Sequence, residues 1–139
     1  MLSGNVEILK NVLKVKSNVD SGMFKHVQLG AIEALQLGEA WFTALQSEYR
    51  ARRIIAQQLF DMLGCKYRLG QEGMFIWAQI PSNWASGEEL VEHLLQKAGV
   101  FITPGFIFGS EGHGFVRVSL CSPPAVFERA MQKLKPLQK

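Results

Sequence analysis

The sequence predicts an α+β chain: a long helix, then a small antiparallel or mixed sheet with helices packed on it. Three observations carry this expectation. Along Glu39–Leu63, apolar residues recur three, four or seven apart, at Phe42, Leu45, Tyr49, Ala56, Phe60 and Leu63, which sets them on one helical stripe. After Gly64 the period changes, and 65–69, 74–80 and 115–121 read as strands. Two further helices carry their own start signals: Ser86-Gly87-Glu88-Glu89 is a capping box, and Ser122-Pro123-Pro124 places proline in a first helical turn, where its missing N–H costs nothing.

Taken in order, Val6–Leu13 reads as a short helix or a buried edge, and Ser17–Gly22 as a loop by composition. Met23–Gln36 has helical spacing at Val27, Ala31, Ala34 and Leu35, with Ser21 or Asp20 placed to cap it. Gly38 interrupts that pattern before the long helix, and Gly64 is the natural stop after it. Gly70 and Gly73 join the first two strands. The helix opened by Ser86 turns Leu90, Val91, Leu94 and Leu95 inward and ends at Gly99. Val100–Thr103 is a short extended segment stopped by Pro104-Gly105, and the last helix buries Val126, Phe127, Ala130, Met131 and Leu134.

Composition narrows the function classes. The 139 residues are 47% hydrophobic, which suits a packed core and argues against disorder. No apolar run is long enough for a bilayer span, and Met1–Lys10 lacks a signal-peptide pattern. Cys65 and Cys121 are too few for a disulfide scaffold and read as reduced thiols of a cytoplasmic protein. A net charge of +3 and a pI near 9.0 permit nucleic-acid binding without pointing to it. The one tight basic group, Arg50, Arg52 and Arg53, reads as a solvated or interdomain helix face, with no alternating aromatics to stack bases. His26, His93 and His113 lie far apart, without metal-ligand spacing. The glycine-rich run Gly109–Gly114 precedes a strand rather than a helix, so it reads as a turn and not a phosphate cradle.

Arg117 is the most informative position. Strand alternation puts Val116, Val118 and Leu120 on a core face and Phe115, Arg117 and Ser119 on the other. An arginine in mid-strand needs a partner, since a partly buried guanidinium left alone is costly. Its planar fork suits a carboxylate held by two parallel hydrogen bonds. Two partners fit equally well: an external carboxylate, or an internal glutamate such as Glu111 or Glu128.

Pro104–Gly109 followed by Phe115–Leu120 resembles the C-terminal signature of class I/II (fold type I) pyridoxal-phosphate (PLP) aminotransferases. Lys16–Phe24, with Gln28, Ala31 and Leu35, is similar to the segment after the PLP lysine in that family, and Tyr49, Arg52-Arg53, Phe75-Ile76-Trp77 and Ile80-Pro81 fit as well. The resemblance spans nearly the whole chain and rests on the order and spacing of these motifs. It implies an enzyme that moves an amino group between an amino acid and a 2-oxo acid, with PLP as cofactor, working as a cytoplasmic homodimer with neither nucleic-acid nor membrane partner. It implies that Arg117 binds the substrate α-carboxylate and that Ser17, Asn18 and Phe108 are candidates to line the active site. It divides the chain into the tail of the large PLP-binding domain (1–38), a long interdomain helix (39–64) and the small C-terminal domain (65–139).

Departures from the family pattern carry equal weight. The Ser/Thr-x-x-Lys motif of the Schiff-base lysine and the following phosphate-binding arginine are absent, and Lys10, Lys14 and Lys16 lie in the wrong motif. Gly4-Asn5 is similar to the end of the family's glycine-rich segment, so the chain is expected to be the C-terminal part of an enzyme, lacking its N-terminal large domain and any catalytic residue of its own. Lys14 and Lys16 stand near where aspartate-specific relatives place an arginine for a distal carboxylate. Two rivals share these residues: a PLP-dependent C–S lyase or decarboxylase on the same fold, and a stand-alone ligand-binding module. The chain alone is expected to form no stoichiometric PLP adduct; borohydride trapping followed by peptide mapping should find no single modified lysine, and one specific site would overturn this.

Overall fold

A computed structural model describes residues 2–137. Met1 and the last two residues of the expected 65–139 domain lie outside the described residues. The chain divides into two compact units, Met1–Phe42 and Thr43–Lys139.

The first unit holds α1 (Val6–Val19) and α2 (Lys25–Leu35). Asn5 caps α1: its Oδ1 accepts from the backbone N–H of Glu7 at 2.9 Å and of Ile8 at 3.3 Å. Val6–Leu13 is therefore the start of a fourteen-residue helix. The loop expected from Ser17 begins only at Asp20. Ser17 Oγ and Asn18 Nδ2 donate back to the Lys14 carbonyl at 3.1 and 2.7 Å, bonds that a helix accommodates. Neither Ser21 nor Asp20 caps α2. The Asp20 side chain is spent on Lys16 Nζ at 2.5 Å and on the Gly22 N–H at 3.0 Å, which together hold its carboxyl below the usual range. Phe24 takes the N-cap position and supplies no side-chain bond. No residue of α1 or α2 is buried, and Val19, Phe24 and Leu35 are 79%, 68% and 71% exposed.

The second unit is built around α3 (Glu39–Met62), whose later part buries Ala56, Leu59 and Phe60. Leu45 of the expected stripe stays exposed, and Leu59, outside that stripe, is buried. Gly64 turns the chain with φ +69°, a conformation that favours glycine. There follow β1 (Lys66–Tyr67), β2 (Phe75–Gln79), α4 (Gly87–Ala98), β3 (Thr103–Pro104), β4 (Phe115–Ser119) and α5 (Pro124–Leu134). The strands form one sheet in the order β1-β2-β4-β3 with every pairing antiparallel, so of the two expected sheet types the antiparallel one is realised.

The strands are shorter than the alternation suggests. β1 pairs for only two residues because the Gln71 side chain then takes over as the neighbour of β2. Its Nε2 donates to the Trp77 carbonyl at 2.8 Å, and its Oε1 accepts from the Trp77 N–H at 2.9 Å. One face of the sheet presents Ile76, Ala78, Val116, Val118 and Leu120 to α3, α4 and α5, where Phe60, Leu90, Leu94 and Phe127 complete the core. The capping box forms with a shift of one residue: Ser86 Oγ accepts from Glu89 N–H at 3.1 Å, while Glu89 Oε2 accepts from Ala85 N–H at 2.8 Å. α4 meets β4 backbone to backbone at Gly87, where a Cβ would lie 2.3 Å from the Phe115 carbonyl oxygen.

Arg52 and Arg53 are half-buried and bond to backbone carbonyls, so a purely solvated face, one of the two expected readings, does not describe them. Arg52 Nη1 donates to the carbonyls of Leu120 and Cys121 at 3.1 Å each, and its Nη2 pairs with Glu48. Arg53 Nη2 donates to the Gly73 carbonyl at 2.8 Å. These bonds tie α3 to both ends of the sheet's connections.

Both cysteines are free thiols, Cys65 buried and Cys121 exposed. Burial pushes the Cys65 thiol up to about 11. An unfolded thiol ionises near pH 8.5, so above roughly that pH the folded state keeps a proton that the unfolded state has released. Stability contributed by Cys65 is thus present below that pH and lost as pH rises toward the folded value. Denaturant midpoints should fall more steeply between neutral and strongly alkaline pH for the wild type than for Cys65→Ala. Ellman's reagent should titrate Cys121 in the folded protein and Cys65 only on unfolding. Rapid reaction of both thiols, or parallel pH profiles, would contradict the burial.

Candidate functional site

The candidate site lies on the sheet face opposite the core. β4 is an interior strand, and Arg117 sits at its centre, opposite Trp77 of β2 on one side and Thr103 of β3 on the other. Val116 and Val118, the neighbours of Arg117 in sequence, are 0% and 6% exposed, while Arg117 itself is half-buried on the other face. Phe75 and Trp77 share that face with it, two residues apart on β2.

Phe108 arrives from a different element. β3 runs directly into a short 3₁₀ turn, Gly105–Phe108, and a second turn, Ser110–Gly112, brings the chain back. The two turns close on each other at Gly105 and Gly112. A Cβ on Gly112 would lie 2.1 Å from the Gly105 carbonyl oxygen, and one on Gly105 would lie 2.4 Å from that of Gly112. The glycine-rich run thus allows two backbone segments to touch, and the loop holds Phe108 over β4.

Around Arg117 the partners are rings. Its Cζ lies 3.9 Å from the Phe108 ring centroid, 4.1 Å from that of Phe75 and 5.9 Å from that of Trp77. Trp77 and Phe108 meet edge to face at 5.3 Å. Among the described residues the guanidinium forms no ion pair and no hydrogen bond; neither Glu111 nor Glu128 pairs with it. Its N–H donors remain available to an external anion. A hollow of about 480 Å³ opens beside the rings, lined by Trp77, Phe108, Phe115 and the backbone of Gly109–Gly112. A larger one of about 610 Å³ between α3 and the β1–β2 loop is lined by Arg50 and by Arg53, whose Nη2 donates to Gly73.

The structure brings Arg117 and Phe108 together. Ser17 and Asn18 belong to the first unit, at the end of α1, with their side chains bonded to Lys14 as described above. Phe75 and Trp77 were not singled out as site residues by sequence. Their shared strand face was readable from alternation, but their place beside Arg117 depends on the β2–β4 register, which alternation alone does not supply.

The residues present do not fit PLP as a complete site. Every described lysine is exposed, so none stands in an enclosed setting suited to covalent attachment of a carbonyl. No step through that cofactor follows from this chain. Nor do three or more His, Cys, Asp or Glu side chains gather into a metal-binding group among the described residues.

The sequence profile described as "Aminotransferase class I and II" matches residues 1–134. An LL-diaminopimelate aminotransferase from Nitratidesulfovibrio vulgaris is 36% identical over 134 residues, which are 96% of this chain and 34% of that protein. One from Aquifex aeolicus is 34% identical over 99% of this chain and 35% of its own length. Substrate-bound BacF from Bacillus subtilis superposes on 98% of the chain with a TM-score of 0.85 at 29% identity, using 35% of that structure. The chain therefore spans about a third of the length of the curated relatives it matches.

Because no internal anion holds Arg117, replacing it should break no ion pair. Arg117→Met should leave the chain folded, with unfolding free energy changed by less than about 1.5 kcal/mol in denaturant titration. A loss above about 3 kcal/mol would make Arg117 a structural residue.

Proposed function

The chain belongs to the class I and II aminotransferases, and from that premise we propose that Arg117 grips the α-carboxylate shared by an amino acid and a 2-oxo acid as an amino group passes between them. The observation that carries this is a half-buried arginine at the centre of an interior strand with none of its N–H donors spent on the protein. Amino acid and 2-oxo acid differ at the reacting carbon and share the carboxylate beside it. A planar fork that takes both carboxylate oxygens fixes the orientation of that carbon, which a point charge does less well.

PLP is the cofactor of this family, and its ring supplies the electron sink. The Schiff-base lysine and the cofactor contacts are proposed to come from a large domain outside these 139 residues. In the same reading, residues 1–38 belong with that domain, 39–64 form the interdomain helix, and 65–139 form the small domain that carries Arg117. Ser17 and Asn18 are proposed to line the active site from the first unit, and Phe108 from the second. The enzyme is proposed to act as a homodimer in the cytoplasm. LL-diaminopimelate, named for the relatives from N. vulgaris and A. aeolicus, is the amino donor to test first.

The test uses the PLP-loaded enzyme containing this chain. Arg117→Lys and Arg117→Ala should lower kcat/KM for amino-acid donors by roughly 30- to 1000-fold, the loss expected when a charge-assisted two-point contact worth about 2–4 kcal/mol is removed. PLP occupancy, read from the visible spectrum, should stay unchanged. Unaltered kinetics in both variants would remove Arg117 from the site.

A further inference from the structure

We propose that Phe75 and Phe108 are positioning residues: they hold the Arg117 guanidinium by its π faces so that its N–H edge stays fixed and open to a substrate carboxylate. This rests on the reading of Arg117 as the carboxylate donor and adds to it the means by which that donor is kept ready.

The geometry favours this role over simple packing. Phe108 remains 48% exposed, so burial in the core does not account for its place. Its ring centroid is nevertheless 3.9 Å from Arg117 Cζ, closer than its 5.3 Å approach to Trp77. Phe75 reaches the same carbon at 4.1 Å from β2, a separate element. A cation over an aromatic face is attracted by the ring quadrupole, and that attraction acts on the face of the guanidinium while its hydrogen-bond donors point outward in the plane. Ring contacts therefore restrain the side chain without using the groups that a carboxylate needs. A glutamate in their place would restrain it too, but would occupy the same donors and have to be displaced. The rings also exclude water from the faces of the cation, which strengthens its attraction to an arriving anion.

The anchors of the two rings differ in kind. Phe75 is set by the β2–β4 register, in which it lies opposite Ser119. Phe108 is set by the turn that closes through Gly105 and Gly112. Trp77, opposite Arg117 and edge-on to Phe108, braces the second ring.

The experiment is an NMR titration of the full chain with acetate as the probe, following the Arg117 Nε–H resonance in the wild type and in Phe75→Leu, Phe108→Leu, the two Phe→Tyr variants and Arg117→Lys. In the wild type that resonance should lie upfield of the other arginines through ring-current shielding, and each leucine variant should lose part of the shift. Half-saturation by acetate, read from neighbouring β4 amides so that all variants can be compared, should rise roughly 3- to 30-fold in each leucine variant, while tyrosine, which keeps the ring face, should stay close to wild type. If Arg117→Lys weakens acetate binding but the leucine variants do not, Arg117 keeps its role and the positioning proposal falls. If Arg117→Lys leaves acetate binding unchanged, the reading of Arg117 falls and the proposal with it. Should Phe75→Leu disturb the sheet, Phe108→Leu at its exposed position decides the question alone. Equal weakening by leucine and tyrosine would also overturn the proposal, since it would indicate packing volume and not the aromatic face.

Discussion

The alternation of β4 is the constraint on which the rest depends. Val116 and Leu120 are fully buried and Val118 nearly so, each contributing roughly 1.5–3 kcal/mol of apolar burial. A slip of one residue would drive Arg117 into that core and lift the valines out of it, at a cost several times larger than the gain. The register is therefore held from the core side, and the opposite face inherits its precision. Trp77 and Thr103 stand beside Arg117 because β2 and β3 must pair with β4 in that same register.

Two arginines in one small unit use their donors in different ways. Arg52 gives Nη1 to the Leu120 and Cys121 carbonyls and Nη2 to Glu48, and its side chain is only 16% exposed. It closes the exit of β4, where the last carbonyls leave the sheet and need partners. Arg117, three residues upstream of Leu120, gives no N–H to any of the described residues and lies against rings. Sequence separates them by element, one on a helix and one in mid-strand; the use of their donors separates them in space.

Much of the second unit was legible in sequence because local rules and burial agree there. Gly64 and Gly99 end helices with φ of +69° and +62°, Ser86 caps α4, and Pro124 opens α5. The carbonyl bonds of the Arg52-Arg53 pair were not legible, because charge on a helix suggests water as readily as an interdomain face, whereas the carbonyls that bind these arginines come from residues 20 to 69 positions away. The loop at Ser17–Val19 was misread for the opposite reason: polar residues with turn preferences made helix-compatible bonds to Lys14. At the candidate site, the face that Arg117 takes followed from period two, whereas its expected role came from the family resemblance. Phe75 could not be placed, since placing it requires knowing which residues of β2 and β4 lie opposite one another.

A cation left without an anion inside a protein needs some other compensation, and the choice of compensation decides what the site can do. Pairing Arg117 with Glu111 or Glu128 would have satisfied it and sealed it, because a charge-assisted pair is lost only at considerable cost. Aromatic faces compensate less per contact, about 0.5–2 kcal/mol, but two of them act on the same guanidinium from β2 and from the Gly105–Phe108 turn. Their sum restrains the side chain while leaving the planar edge unsatisfied. The proposal also accounts for bulky apolar residues on a sheet face that is not the core: there they would serve the cation. In the proposed reading, the low polarity of this face and the open donors of Arg117 have one physical origin: a guanidinium held by its faces so that its edge can bind.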